Sequence, residues 1–216
     1  MAHTVYRLLC TNGTHINETR CPALRPPQDL VKTHPEWFWP HGEADVYGQL
    51  CYHNQSLVKY MISQAKLVMQ YQPDVPWLSI TQNDNENDCN DPEEMAIVAA
   101  EGGEGPFNGT YGHGHSGGRT GAQLRVVNAI ADALLEDYPQ LKVDTFAYEQ
   151  TSYPPLVTKP HKNVIIRIAT ETSNFAPRYS SVNSAHDGSY VESWSNISSS
   201  LSIWDYTANY MYNGLI

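Results

Sequence analysis

The stretch Gly121–Thr151, GAQLRVVNAIADALLEDYPQLKVDTFAYEQT, contains one complete structural unit. Leu124, Val127, Ala131, Leu134 and Tyr138 recur close to every 3.6 residues, which predicts an amphipathic helix over Gly121–Tyr138. Pro139 follows at once, and a residue before proline is disfavoured in helical geometry, so the helix stops there. The run LKVDTFAY then has the length and apolar content of a buried strand, and it ends on Tyr148 and Glu149. The order is helix, strand, polar exit.

The same order occurs upstream. Leu57, Met61, Ala65, Val68 and Tyr71 predict a helix over Ser56–Gln72, stopped at Pro73 and followed by the apolar run VPWLSIT. That strand opens onto SITQNDNENDC (Ser79–Cys89), dense in carboxylates and carboxamides. Further strands are expected at NVIIRIAT (Asn163–Thr170) and LSIWDY (Leu201–Tyr206), and HTVYRLLC at the start is read as an opening strand. Strands that are apolar throughout, separated by helices, signify a parallel sheet covered on both faces. No GxGxxG follows any strand and no GxxxxGK[ST] occurs, which weighs against the nucleotide-binding versions of this plan. The expectation is therefore an α/β fold of the (β/α)8 TIM-barrel type, with its chemistry at the C-terminal ends of the strands. Five strand candidates fall short of the eight that close a barrel. Residues 1–216 are accordingly read as one barrel domain that is incomplete, a fragment of a longer protein or a reduced relative.

Composition limits the partners. With 216 residues and 41% hydrophobic content, the chain can bury a sizeable core. A net charge of -10 argues against nucleic acid, whose binding requires a basic footprint. No run of eighteen apolar residues occurs, so no membrane span is expected, and the opening MAHTVYRLLC lacks the apolar segment of a secretory signal. Cys10, Cys21, Cys51 and Cys89 form no CxxC pair and allow two disulfides in three connectivities. Sequons at Asn12, Asn17, Asn54, Asn108 and Asn196, together with the even cysteine count, place the chain in an extracellular or endomembrane setting.

The strand exits carry the functional signal. One strand delivers Asn83 and Asp84, the next Tyr148 and Glu149, the third Glu171 with Arg167 just inside it, and the fourth Trp204, Asp205 and Tyr206. In a barrel these ends converge, so acids distant in sequence become neighbours. A single acid at a strand end is more often a helix cap or solvated. Four together, with aromatics among them, define a pocket for sugars, whose hydroxyls bind carboxylates and whose C–H faces stack on rings. Cleavage of a glycosidic bond uses one carboxyl as acid and a second group to manage charge at the anomeric carbon. Asp84, Glu171 and Asp205 are the candidate catalytic carboxylates. Asn83, Tyr148, Arg167, Trp204 and Tyr206 are the candidate substrate-binding residues. Arg167 is expected to point into the barrel and to pair with Glu171 or Asp84.

Other readings compete for these residues. With Asn83 first, Asn85, Asn87 and Glu94 fall at positions three, five and twelve of a calcium loop, but Asp88 stands where the tight turn needs glycine. Glu93 and Glu94 fit better as the acidic first turn of a helix starting near Pro92. His113 and His115, in the Gly-rich connection Ala100–Arg119, have no strand to align them as metal ligands. That connection is a candidate lid. Trp37 and Trp39, in HPEWFWP, are read as a core plug, and His34 as structural. No cofactor and no metal ligand is expected. The alternatives to an enzyme are a non-catalytic carbohydrate-binding relative and a calcium-stabilised structural domain.

Several stretches in order, HPEWF, SITQNDN, VVNAIADALLEDYP, VDTFAYEQT, NVIIRIATET and LSIWDY, resemble domain-of-unknown-function family 4838. The resemblance runs from about His34 to Tyr210. That family is similar to sugar-cleaving barrel enzymes and includes glycoside hydrolase family 163, endo-β-N-acetylglucosaminidases acting on complex N-glycans. The resemblance implies a glycosidase of that kind, with a glycan as partner. It places the family's strand-exit Asn-Asp at Asn83 and Asp84, its glutamate at Glu171, its tyrosine at Tyr148, and its Trp-Asp-Tyr at Trp204, Asp205 and Tyr206. The stretch after Glu171, TSNFAPRYS, departs from the family's Cys- or His-containing pattern.

Overall fold

The structure is a computed structural model, and it describes residues 4–11, 26–43, 48–104, 117–169, 187–204, 208–209 and 214–215. Helix α1 spans Val5–Cys10, α2 Gln28–Thr33, α3 Gln55–Tyr71, and strand β1 Trp77–Ser79. Helices α4 (Pro92–Ala100) and α5 (Gly118–Leu135) precede β2 (Lys142–Ala147) and β3 (Val164–Ala169). Helix α6 (Asp187–Ser195), β4 (Leu201–Trp204) and a small antiparallel pair, β5 (Ala208–Asn209) with β6 (Gly214–Leu215), follow. The fold is mixed α/β on a four-stranded, wholly parallel sheet whose spatial order is its chain order, β1-β2-β3-β4.

Four of the five expected strands are strands of this sheet. The fifth, HTVYRLLC, is helix α1 instead. Val5, Tyr6, Leu8 and Leu9 are buried while Arg7 is exposed, a one-sided spacing that suits a helix. A strand would have sent the adjacent Leu8 and Leu9 to opposite faces. Thr4 anchors the helix at the exit of β1: its N–H donates to the Thr81 hydroxyl at 2.9 Å, and its own hydroxyl donates to the Ser79 carbonyl at 2.6 Å.

Sequence explains the other elements. Asn54 caps α3 by accepting N–H bonds from Ser56 and Leu57 at 3.0 and 3.2 Å. Helix α4 begins at Pro92 with Glu93 and Glu94 in its first turn, where proline lacks no needed donor and acids meet the positive helix end. Helix α5 starts three residues before its expected bound, at Gly118. A Cβ on Gly121 would stand 2.2 Å from the Glu101 side chain, so only glycine lets α5 approach α4 this closely.

The pleat divides the sheet into two faces. Register sets Ser79 beside Asp144, Phe146 beside Arg167, and Ala169 beside Trp204. With side chains alternating at period two, Ser79, Asp144, Phe146, Arg167 and Trp204 share one face. Val143, Val164, Ile166 and Ile168 share the other, at most 1% exposed, and α5 covers it with Leu124, Val127, Ile130 and Leu134. Trp37 is 3% exposed and joins this core, with the His34 ring stacked on it at 3.9 Å. A disulfide, Cys51–Cys89, ties the approach to α3 to the segment before α4, and Cys10 is also disulfide-bonded. Among the described residues no helix is long and apolar enough to cross a membrane, and the disulfide is compatible with an extracellular protein.

Candidate active site at the strand exits

Beyond β1 the chain stays buried through Ile80, Thr81, Gln82 and Asn83, and Asp84 is the first exposed residue. The carboxamides here serve as braces. Gln49 clasps the loop, its side-chain N–H donating to the carbonyls of Asn83 and Asn85 at 2.8 Å each and its oxygen accepting from the Asn83 N–H at 3.0 Å. The Asn83 side chain donates to the Gly48 carbonyl at 2.7 Å. Asn83 is thus 2% exposed and holds backbone.

A second brace joins the exits of β1 and β2. Gln82 donates to the Tyr148 carbonyl at 3.0 Å and the Thr151 hydroxyl at 2.7 Å. Gln123 of α5 donates to Gln82 and to Thr145 of β2. Gln150 reaches back to the Asn85 carbonyl and Asp88 at 3.1 and 3.2 Å. With the two exits fixed, the Tyr148 hydroxyl donates to Asp84 Oδ1 at 3.3 Å. Glu149, next in sequence, has φ 49°, a left-handed conformation uncommon for its residue type, which turns the chain sharply after Tyr148.

On the sheet face below, Arg167 Nη2 lies 2.6 Å from Asp144 Oδ2. Among the described residues the acid that Arg167 meets is Asp144, which the sequence reading did not name. Neighbouring strands set the contact, because Arg167 sits level with Phe146 and so diagonally across from Asp144. The guanidinium also lies 5.6 Å from the ring centroids of both Phe146 and Trp204, which meet each other edge-to-face at 5.3 Å. Burial pushes the Asp144 carboxyl up, the Arg167 charge and the Ser79 hydroxyl pull it back, and it remains above the usual aspartate value.

The structure therefore brings Asp84 to Tyr148, and Arg167 to Trp204. Glu171, Asp205 and Tyr206 lie outside the described residues, as do His113 and His115. The sequence reading missed Asp144 and Phe146. Their signal was an acid inside one apolar strand and a base inside the next, a pairing that only the register reveals. The carboxylate that a calcium loop would need at position twelve, Glu94, is 2% exposed and accepts the His53 backbone N–H at 2.6 Å.

A family model described as "Domain of unknown function (DUF4838)" matches residues 7–215. The chain belongs to this family. No curated protein and no solved structure matches it. The DUF4838 match takes in all four strands of the parallel sheet and both ends of the Asp84–Tyr148 contact, and it begins within α1, well before the HPEWF stretch.

Proposed function

We propose that this DUF4838 chain is a glycoside hydrolase that cleaves a glycosidic bond at N-acetylglucosamine in a glycan with a pair of carboxylates, within a (β/α)8-type barrel. The observation that carries the reading is the Tyr148–Asp84 contact at 3.3 Å, because it joins the exits of two neighbouring parallel strands on one rim. The barrel is supported by strand order: four parallel strands laid down in sequence, with no reversal of direction across the sheet, match an arc of such a barrel. Crevice-forming α/β sheets reverse their strand order at the ligand site instead.

In this reading Asp84 and Glu171 are the working carboxylates, and Asp205 is the third candidate acid. Tyr148 orients Asp84, while Trp204 and Tyr206 offer rings to a sugar face. Arg167, held by Asp144 and two rings, keeps a positive charge on the sheet face beneath the rim. An ionised acid beside a protonated one is the division that glycoside cleavage needs.

The test is hydrolysis of N-glycans and chitooligosaccharides by the parent chain and by Asp84→Asn and Glu171→Gln, with sugar binding measured in parallel. Turnover in the parent, lost in both variants while binding survives, supports the enzyme. Sugar binding without turnover in any of the three identifies a carbohydrate-binding relative.

A further inference from the structure

A second cluster of chemically capable side chains lies away from the strand rim, where the segment after Trp37 meets the start of α4. His41 Nε2 is 2.7 Å from Asp91 Oδ1, and His53 Nε2 is 3.7 Å from Asp91 Oδ2. Two imidazoles thus point the same ring atom at one carboxylate.

The other ring nitrogens fix the protons. His41 Nδ1 is 3.2 Å from the Pro35 carbonyl, which can only accept, so the proton sits on Nδ1. His53 Nδ1 is 3.2 Å from Glu94 Oε2, an oxygen that already accepts the His53 backbone N–H at 2.6 Å. That ring therefore also donates from Nδ1. In the neutral rings both Nε2 atoms are then acceptors, facing the acceptor oxygens of Asp91. Lone pairs facing each other at these separations are satisfied by a shared cation: a proton, which makes His41–Asp91 an ion pair, or a metal ion held by all three groups. A carboxylate or a backbone carbonyl on the far nitrogen is also the usual outer support of a metal-bound histidine.

From this geometry we infer a divalent transition-metal site, of zinc type, formed by His41 Nε2, His53 Nε2 and the Asp91 carboxylate, with Glu94 and the Pro35 carbonyl orienting the rings. Two ligand atoms each about 2.0–2.2 Å from a tetrahedral ion lie about 3.3–3.5 Å apart, and the separations of 2.7 and 3.7 Å bracket that value. Imidazole nitrogen with carboxylate oxygen suits zinc better than calcium, which takes oxygen ligands. The Cys51 and Cys89 sulfurs lie beside His53 and Asp91, the four ligand atoms within 4.8 Å of one another, but the sulfurs are bonded to each other and supply no thiolate. A fourth position is left for water. The ion would clamp the Pro35–Gly42 turn onto the start of α4, next to the disulfide that already joins this region.

The test is zinc titration of the oxidised, metal-stripped whole chain carrying His113→Ala and His115→Ala, so that the HGH pair contributes nothing. Calorimetry is expected to show one saturable zinc per chain, and the melting temperature to rise with zinc concentration. His41→Ala, at an exposed position, and Asp91→Asn, whose side chain makes no cap bond, are each expected to weaken binding by about 10–100-fold or more. His34→Ala is expected to leave binding unchanged. Cobalt substitution should give a nitrogen–oxygen ligand spectrum. Failure to take up one equivalent, equal affinity in the His41 and Asp91 variants, or a thiolate charge-transfer band with cobalt would each overturn the site.

Discussion

The Tyr148 hydroxyl donates to the Asp84 carboxylate across the exits of two adjacent parallel strands, at 3.3 Å. Sixty-four residues separate the pair, and their meeting depends on Gln82, which binds both the Tyr148 carbonyl and Thr151. The bond gives Asp84 a fixed direction on an otherwise exposed rim.

Tyr148→Phe removes this direction while keeping the ring. On a glycan substrate it is expected to lower kcat by about tenfold, the scale of one charge-assisted hydrogen bond. Asp84→Asn is expected to lower it by about 10²–10⁴-fold, the range for loss of a positioned acid or base. Steady-state kinetics on both variants checks the order. A Tyr148 variant as impaired as the Asp84 variant would move the chemistry to the phenol.

Arg167→Met leaves Asp144 buried and uncompensated, a change that costs about 3–5 kcal/mol by urea denaturation at neutral pH. The folded Asp144 value lies above its ordinary one, so the folded state binds its proton more tightly than the unfolded chain does. Stability from this group is present below the ordinary aspartate range and lost as pH rises through the folded value. The deficit of Arg167→Met is therefore expected to shrink in acid. Asp144→Asn in the same chain should recover part of it.

Glu101 has the opposite sign. Burial alone would raise it, but bonds from the Thr158 hydroxyl and N–H, the Arg125 guanidinium and the Val157 N–H outweigh burial and hold it below the usual glutamate range. Its contribution is present above the unfolded glutamate value and lost as pH falls through the folded one. Glu101→Gln is expected to cost about 1.5–3 kcal/mol at neutral pH and to flatten the acid limb of a stability–pH profile. An acid limb identical to the parent's would remove Glu101 from the account.

The Cys51–Cys89 bond closes a loop with a sequence separation of 38. Loop-closure entropy assigns such a crosslink about 4 kcal/mol. A Cys51→Ser, Cys89→Ser double variant is expected to lose about 2–4 kcal/mol of unfolding free energy in denaturant titrations.

How much of this was legible depends on how far apart the partners lie in sequence. The α3 and α5 helices and strands β1 to β4 were readable because period and proline stops are local properties. Helix α1 was not: its apolar run fits both periods, and the deciding contact, Thr4 with Thr81, lies 77 residues away. Asp84 and Tyr148 were found at strand ends without any register. Asp144 needed the offset of β2 against β3, and the His41–Asp91–His53 cluster needed a turn, a helix entry and a helix start to meet. Asn83 reads from sequence as a calcium-loop or sugar-binding position, yet it and Gln82 serve as braces, because buried backbone after a short strand must be satisfied by side chains.

The separation of the Asp84 and Glu171 carboxyl groups in a crystal structure of the chain decides whether the two work as a pair. A retaining pair is expected at about 5–5.5 Å and an inverting pair at about 6.5–9.5 Å. A separation well beyond that range, or carboxyls opening onto different sides of the sheet, would contradict that pairing.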